Sequence, residues 1–288
     1  MSRRARARLA VFALLAACAT SPRSESAAQP VRIAYGADAE LQYGELLLPE
    51  GAGPFPLAVV IHGGCWRARF GSVDSMEPLA EALAAQGVAS WNIEYRRVGN
   101  DGGGWPGTFL DIANATDYVK SLATDHPIDV AKVIALGHSA GGHLALWAAA
   151  RAKLAPTSPL FRAEPLRLRG VVALAGPADL RALSGADTVC GRGTLEELAG
   201  GTLEAVPDHY AQASPAALLP LGVPQLLITG SADRLVPTRL LTPYERAAQS
   251  AGDRVALSEV PGANHRDLIR PDSDAWPVVR DGVRDLLR

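Results

Sequence analysis

Cysteine is scarce in this chain: three residues in 288, at Cys18, Cys65 and Cys190. With six histidines scattered among them, none has the paired spacing of a zinc site, so no metal and no organic cofactor is expected. Lysine is equally sparse. Only Lys120, Lys132 and Lys153 occur, and nearly all basic residues are arginines. Beyond the N-terminus these arginines form no cluster and no stripe interleaved with aromatics, which speaks against a nucleic-acid surface. There is no internal repeat. The apolar run Leu9 to Ala17 is too short for an ordinary membrane-spanning helix.

What the chain does have is enough apolar residue, 48%, to bury one substantial core. Short apolar runs alternate with helical patterns and no linker interrupts them. This argues for a single α/β layered domain over residues 31–288. Ahead of it, Arg3, Arg4, Arg6 and Arg8 precede the run Leu9 to Ala17, the pattern of an export signal. Leu15-Ala16-Ala17-Cys18 resembles a bacterial lipoprotein signal, with residues 1–17 removed and Cys18 lipidated. The alternative is an ordinary secretory peptide cut between Ala19 and Ala28. Residues 18–30, rich in Ser, Ala and Pro, read as a flexible tether. The expected location is outside the cytoplasm, anchored through lipid, or otherwise periplasmic or secreted. Any membrane contact would come from that anchor.

Chemistry concentrates at Gly137-His138-Ser139-Ala140-Gly141. The apolar run Val133 to Leu136 before it reads as a buried strand, and Gly142 to Ala150 after it reads as a helix. A serine on a sharp strand-to-helix turn, flanked by small residues, has its hydroxyl lifted out of the sheet as a nucleophile. A second strand, Leu57 to Ile61, empties into His62-Gly63-Gly64-Cys65-Trp66. Backbone amides there, at Gly64 and Cys65, together with that of Ala140, are candidates to hold an oxyanion. His62 precedes the serine and reads as a structural histidine bonded to loop backbone.

A third strand, Pro224 to Thr229, leads to Asp233, and a fourth, Val255 to Val260, leads to His265. Serine, aspartate and histidine in that order match the chain order of α/β-hydrolases. Asp179 is the rival acid, but it lies one strand early and suits a helix cap better. His126, His143 and His209 fit worse than His265. Trp66, Trp105 and Phe109 are candidates to line a substrate pocket, with packing as the competing role.

On these residues the chain resembles the α/β-hydrolase superfamily from about Val31 to the C-terminus. The branch is that of hormone-sensitive-lipase-like and bacterial acyl esterases and of kynurenine formamidase. The resemblance also draws on Asn92 to Arg97, on Gly104-Trp105-Pro106 leading into Asp111, and on Gly142-His143-Leu144. Cys65 stands where the formamidases usually carry an aromatic residue. The resemblance implies a mostly parallel central sheet with helices on both faces, and a small cap after Ala175. It implies hydrolysis of a small carboxylic ester through an acyl-enzyme. Hydrolysis of an N-formyl amide, an exopeptidase-like activity and a non-catalytic binding protein on the same fold are the alternatives. In an oxidising compartment Cys65 and Cys190 could pair and tie the donor loop to the cap. Sequence does not carry the distance between them.

Overall fold

Alternate residues of the strand Phe55–Ile61 face opposite layers. Leu57, Val59 and Ile61 enter one apolar cluster, and Ala58 and Val60 enter another. A strand buried on both sides in this way reads as an unbroken apolar run, the mark of a parallel sheet covered by helices. The computed structural model describes residues 29–184 and 190–288. Its strands are β1 (Val31–Ala34), β2 (Tyr43–Leu47), β3 (Phe55–Ile61), β4 (Ala89–Ile93), β5 (Ile128–His138), β6 (Gly170–Leu174), β7 (Gln225–Gly230) and β8 (Val255–Val260). They form one sheet in the order β1-β2-β4-β3-β5-β6-β7-β8. β1 and β2 pair antiparallel at one edge, and the strands from β4 to β8 pair parallel.

The helices are α1 (Glu77–Ala84), α2 (Gly107–Asp117), α3 (Val119–Asp125), α4 (Ala140–Ala150), α5 (Leu180–Leu183), α6 (Thr194–Ala199), α7 (Pro207–Ala213), α8 (Thr242–Ser250) and α9 (Trp276–Leu287). α1 and α9 cover one face of the sheet through Leu79, Leu83, Val279 and Val283. α2, α3, α4 and α8 cover the other through Phe109, Ile112, Val119, Leu144, Trp147 and Tyr244. All eleven residues of α4 are buried, as expected of a helix apolar on every side. This is the α/β-hydrolase fold, with the mostly parallel sheet that the sequence implied.

Between β6 and β7 the chain forms the small cap, in which α5, α6 and α7 are the helical pieces. Asp179 accepts the Arg181 amide and caps α5, as its place one strand early suggested. The proposed signal, Cys18 and most of the tether lie outside the described residues. Among those described, no helix is long and apolar enough to cross a membrane.

The order β4-β3-β5 makes a topological switch point. The chain leaves β3 toward β4, then returns past β3 to lay down β5 on its other side. Loops leaving the carboxyl ends of β3 and β5 therefore diverge, and a crevice opens between them. The two glycine-rich motifs of the sequence are those loops.

Candidate active site

Ser139 sits between β5 and α4 with φ 55° and ψ −120°, a conformation that costs a non-glycine residue of order 1–3 kcal/mol. The surroundings hold it there. Its amide donates to the Leu174 carbonyl at 2.8 Å, and its own carbonyl accepts the His143 amide at 3.1 Å. The turn is so tight that a Cβ on Gly141 would collide with the carbonyl oxygens of Ile61 and His62. Ala140 opens α4, and the first amides of a helix have no partner within it. Its N–H is thus available beside the serine.

The loop after β3 approaches from the other side of the crevice. A Cβ on Gly63 would stand 3.1 Å from that of Ser139 and 2.8 Å from the His138 carbonyl. Gly64, Cys65 and Trp66 all have positive φ, at 113°, 55° and 54°, so the chain here turns its amides rather than extending a strand. Neither the Gly64 nor the Cys65 amide donates to a backbone carbonyl among the described residues.

Three supports hold this loop. Cys65 is bonded to Cys190, with Cα atoms 5.3 Å apart, so the pairing left open by the sequence is made. The Arg67 guanidinium reaches Thr194 at 3.0 Å and Glu197 at 2.9 Å, both on α6. The Trp66 indole donates to His143 Nδ1 at 3.1 Å, and His143 Nε2 in turn donates to the Ala213 carbonyl at 2.8 Å. Burial pushes the His143 pKa down to about 4, so it is neutral with a fixed tautomer.

Beneath the loop lies a buried polar knot that sequence reasoning did not anticipate. The Glu94 carboxylate accepts His62 Nε2 at 3.0 Å, the Tyr95 amide at 2.9 Å, the Val73 amide at 3.2 Å and Arg97 at 2.9 Å. Burial raises the Glu94 pKa, but the His62 hydrogen bond and charge and the Arg97 guanidinium outweigh it, and the net shift is downward. The other His62 nitrogen faces the Gly63 carbonyl at 2.7 Å, in keeping with a structural histidine bonded to loop backbone. The signal lay in the run Glu94-Tyr95-Arg96-Arg97, where charges directly follow a buried strand.

Asp233 and His265 come together from the loops after β7 and β8. His265 Nδ1 lies 2.7 Å from Asp233 Oδ2. The other carboxylate oxygen accepts the amides of Leu235 at 2.8 Å and Val236 at 2.9 Å. Burial pushes the Asp233 pKa up, and the hydrogen bonds from His265 and these amides more than reverse it, leaving it below the ordinary carboxylate value. An ionised Asp233 keeps the proton of His265 on Nδ1, which leaves Nε2 free to accept one.

His138 holds His265 from behind. Its Nε2 donates to the His265 carbonyl at 2.9 Å, and the two rings lie 4.4 Å apart. Burial, followed by the nearby His265, drives the His138 pKa down to about 3.

Ser139, Ala140, Gly64, Cys65, Trp66 and His265 all border one cavity of about 840 Å³. Trp105 and Phe109 do not border it, contrary to their candidacy as pocket residues. Phe109 is fully buried in the core against Trp147, and Trp105 stacks on His209 at 4.2 Å. Apolar walls come instead from Leu183, Leu195, Leu235, Leu240 and Ile269. These positions had no pattern of their own in the sequence, because they belong to the cap and to irregular loops.

Fold, elbow and histidine–carboxylate pair together define an α/β-hydrolase. The BD-FAE family model matches residues 45–242, which is more than half of the chain, and the chain belongs to that family. Among curated proteins, it is 26% identical over 221 residues to a probable carboxylic ester hydrolase, LipM, of Mycobacterium tuberculosis. It is 24% identical over 221 residues to the esterase LipQ of the same organism. These alignments cover 75% and 73% of this chain but 51% and 50% of those proteins, so the chain spans about half the length of the curated relatives it matches. A truncated carbohydrate esterase from gut microbiota superposes with a TM-score of 0.77 at 22% identity, covering 92% of this chain and 98% of that one. The butyrate-bound thermophilic esterase Est2 of Thermogutta terrifontis gives 0.72 at 21% identity, covering 90% and 93%. The structural likenesses establish the fold.

Proposed function

We propose that this protein is a serine hydrolase cleaving a carboxylic ester through an acyl-enzyme. The observation that carries this reading is the strained Ser139 at the switch point, facing the same cavity as a histidine already oriented by a buried carboxylate. In the reaction, His265 Nε2 takes the Ser139 proton as Oγ attacks the ester carbonyl carbon. The negative charge that develops on the carbonyl oxygen is held by the Ala140 amide and by amides of the Gly64–Cys65 loop. The imidazolium then protonates the leaving alcohol. A water activated by the same histidine releases the acid and restores the serine. Asp233 keeps the correct tautomer and stabilises the imidazolium without itself becoming protonated.

A cavity of about 840 Å³ lies within the range of small-molecule sites and has room for an acyl group together with a ring-sized alcohol. The relatives named as esterases support the ester reading. An N-formyl amide would be attacked by the same groups but carries a poorer leaving group. We place the protein outside the cytoplasm, with Cys18 as the lipid-bearing residue. The arginine-led apolar segment supports this placement, as does a disulfide in the active-site wall, since such bonds persist in oxidising compartments.

The deciding experiment compares wild type with Ser139→Ala on p-nitrophenyl acetate, butyrate and palmitate and on N-formyl arylamines. The short esters should be turned over by wild type, and the substitution should remove several orders of magnitude of kcat with the fold intact. Equal turnover by the two proteins would end the serine-hydrolase reading. Faster cleavage of the formyl amide would replace the ester with an amide. Membrane fractionation of the full-length protein, with Cys18→Ser releasing it, tests the anchor. A lipid-free mature N-terminus beyond Cys18 would refute it.

A further inference from the structure

The rim of the cavity is cationic on one side. Arg234 and Arg239, from the loop after β7, and Arg266, next to the catalytic histidine, all border it. Each of the three is exposed to solvent. Among the described residues, none of the three guanidinium groups takes part in an ion pair or side-chain hydrogen bond. No aspartate or glutamate lines the cavity among those residues. The carboxylates nearest in sequence are committed elsewhere: Asp267 accepts the Asn264 amide, Glu259 accepts the Thr238 hydroxyl, and Asp233 is occupied by His265. Arg270 and Arg284, also exposed, are by contrast paired with Asp272 and Asp281.

We propose that the preferred ester carries a carboxylate, which Arg234, Arg239 and Arg266 receive at the cavity rim while the ester carbonyl sits at Ser139. The proposal rests on the serine-esterase reading above. Low-dielectric apolar walls at Leu235, Leu240 and Ile269 would focus the field of these arginines into the cavity. A guanidinium also matches the two oxygens of a carboxylate better than an ammonium does. The arrangement specifies an anion, carried on the acid or on the alcohol part of the ester.

Two matched pairs separate those cases. Mono-p-nitrophenyl adipate against its neutral amide places the charge on the acyl side. 4-Acetoxybenzoate against 4-acetoxybenzamide places it on the leaving group. Each exposed ion pair changes affinity by a factor of about 1.5 to 5. At about 10 mM ionic strength, kcat/KM for the anion should therefore exceed that for its neutral partner about tenfold in at least one pair. The ratio should shrink at about 0.5 M salt, where screening acts over only a few ångströms. The double substitution Arg234→Gln/Arg239→Gln should bring the ratio toward one, and Arg239→Lys on the Arg234→Gln background should restore part of it, with folding checked by thermal melting. A ratio at or below one in both pairs, or a ratio untouched by the double substitution, would overturn the proposal. Failure of wild type to exceed Ser139→Ala on all four esters would instead overturn the esterase reading, and this inference with it.

Discussion

Breaking the Cys65–Cys190 bond tests how the donor loop is held. The bond closes a loop of 125 residues, and the chain-entropy relation for that length gives about 5 kcal/mol at 25 °C. The other ties to α6 are weaker. The Arg67–Glu197 pair is half exposed on the glutamate side, and such surface pairs contribute ~0.2–1 kcal/mol. At roughly 2 °C per kcal/mol for a chain of this size, and since measured disulfides often contribute less than the entropic figure, the melting temperature should fall by about 5 to 10 °C. Activity should suffer less than stability. Losing an oxyanion donor outright costs about 10²–10³ in kcat, but Trp66 still anchors the loop to His143. A kcat loss of about tenfold is therefore expected. The assay is scanning calorimetry and p-nitrophenyl butyrate kinetics on the oxidised enzyme, the reduced enzyme and Cys65→Ser/Cys190→Ser, with thiols counted by maleimide mass shift. A fully reduced enzyme melting within 2 °C of the oxidised one would refute the reasoning.

Other substitutions probe the remaining parts. Asp233→Asn should lower kcat on the order of 10⁴-fold while leaving thermal stability far less affected, and an activity loss under tenfold would deny Asp233 its tautomer-fixing role. Gly141→Ala should destabilise by several kcal/mol, because its methyl meets backbone carbonyls that cannot move away. A urea midpoint equal to wild type would show that the elbow has room. His138 and His143 are neutral when folded, with pKa values near 3 and 4 against an ordinary 6.5. Below 6.5 the unfolded chain binds the extra protons, so stability falls as pH drops toward those values, each histidine contributing ~1.4 kcal/mol per pH unit. His138→Gln should flatten that slope between about pH 4 and 6; an unchanged acid limb in urea titrations would refute this.

The parts of this site that sequence conveyed are those where chemistry constrains the residue type at a fixed spacing. Ser139 stands among small neighbours on a strand-to-helix turn, and Asp233 and His265 each follow an apolar strand, so the placement of these three residues was legible. Asp179 could be set aside because its position suited a cap. The cavity walls were not legible. Leu183, Leu195 and Leu240 follow no period, since they sit on short cap helices and loops whose course depends on tertiary contacts. Aromatic character misled in the same region: Phe109 sits on a helix whose inner face packs against α4, and burial there wins over a place in the cavity. The Glu94 knot escaped notice because a charged residue at a strand end reads as solvated unless its partners, distant in sequence, are known.

The ties around the site fall into two sets, and one of them reaches the cap. Ser139, His265 and Asp233 are fixed by Leu174, by His138 and by the amides of Leu235 and Val236, all of which belong to the sheet ends and their loops. The loop that would receive the oxyanion is bonded to the segment leaving β4, at Glu94 and Val98, and is fastened also to the cap, through Cys190, Thr194, Glu197 and, by way of His143, Ala213. Remodelling the cap would thus shift the Gly64–Cys65 loop and the cavity wall, while Ser139, His265 and Asp233 keep their own ties. On the proposed reading, substrate choice can drift with the cap while the groups that would transfer the proton stay constant.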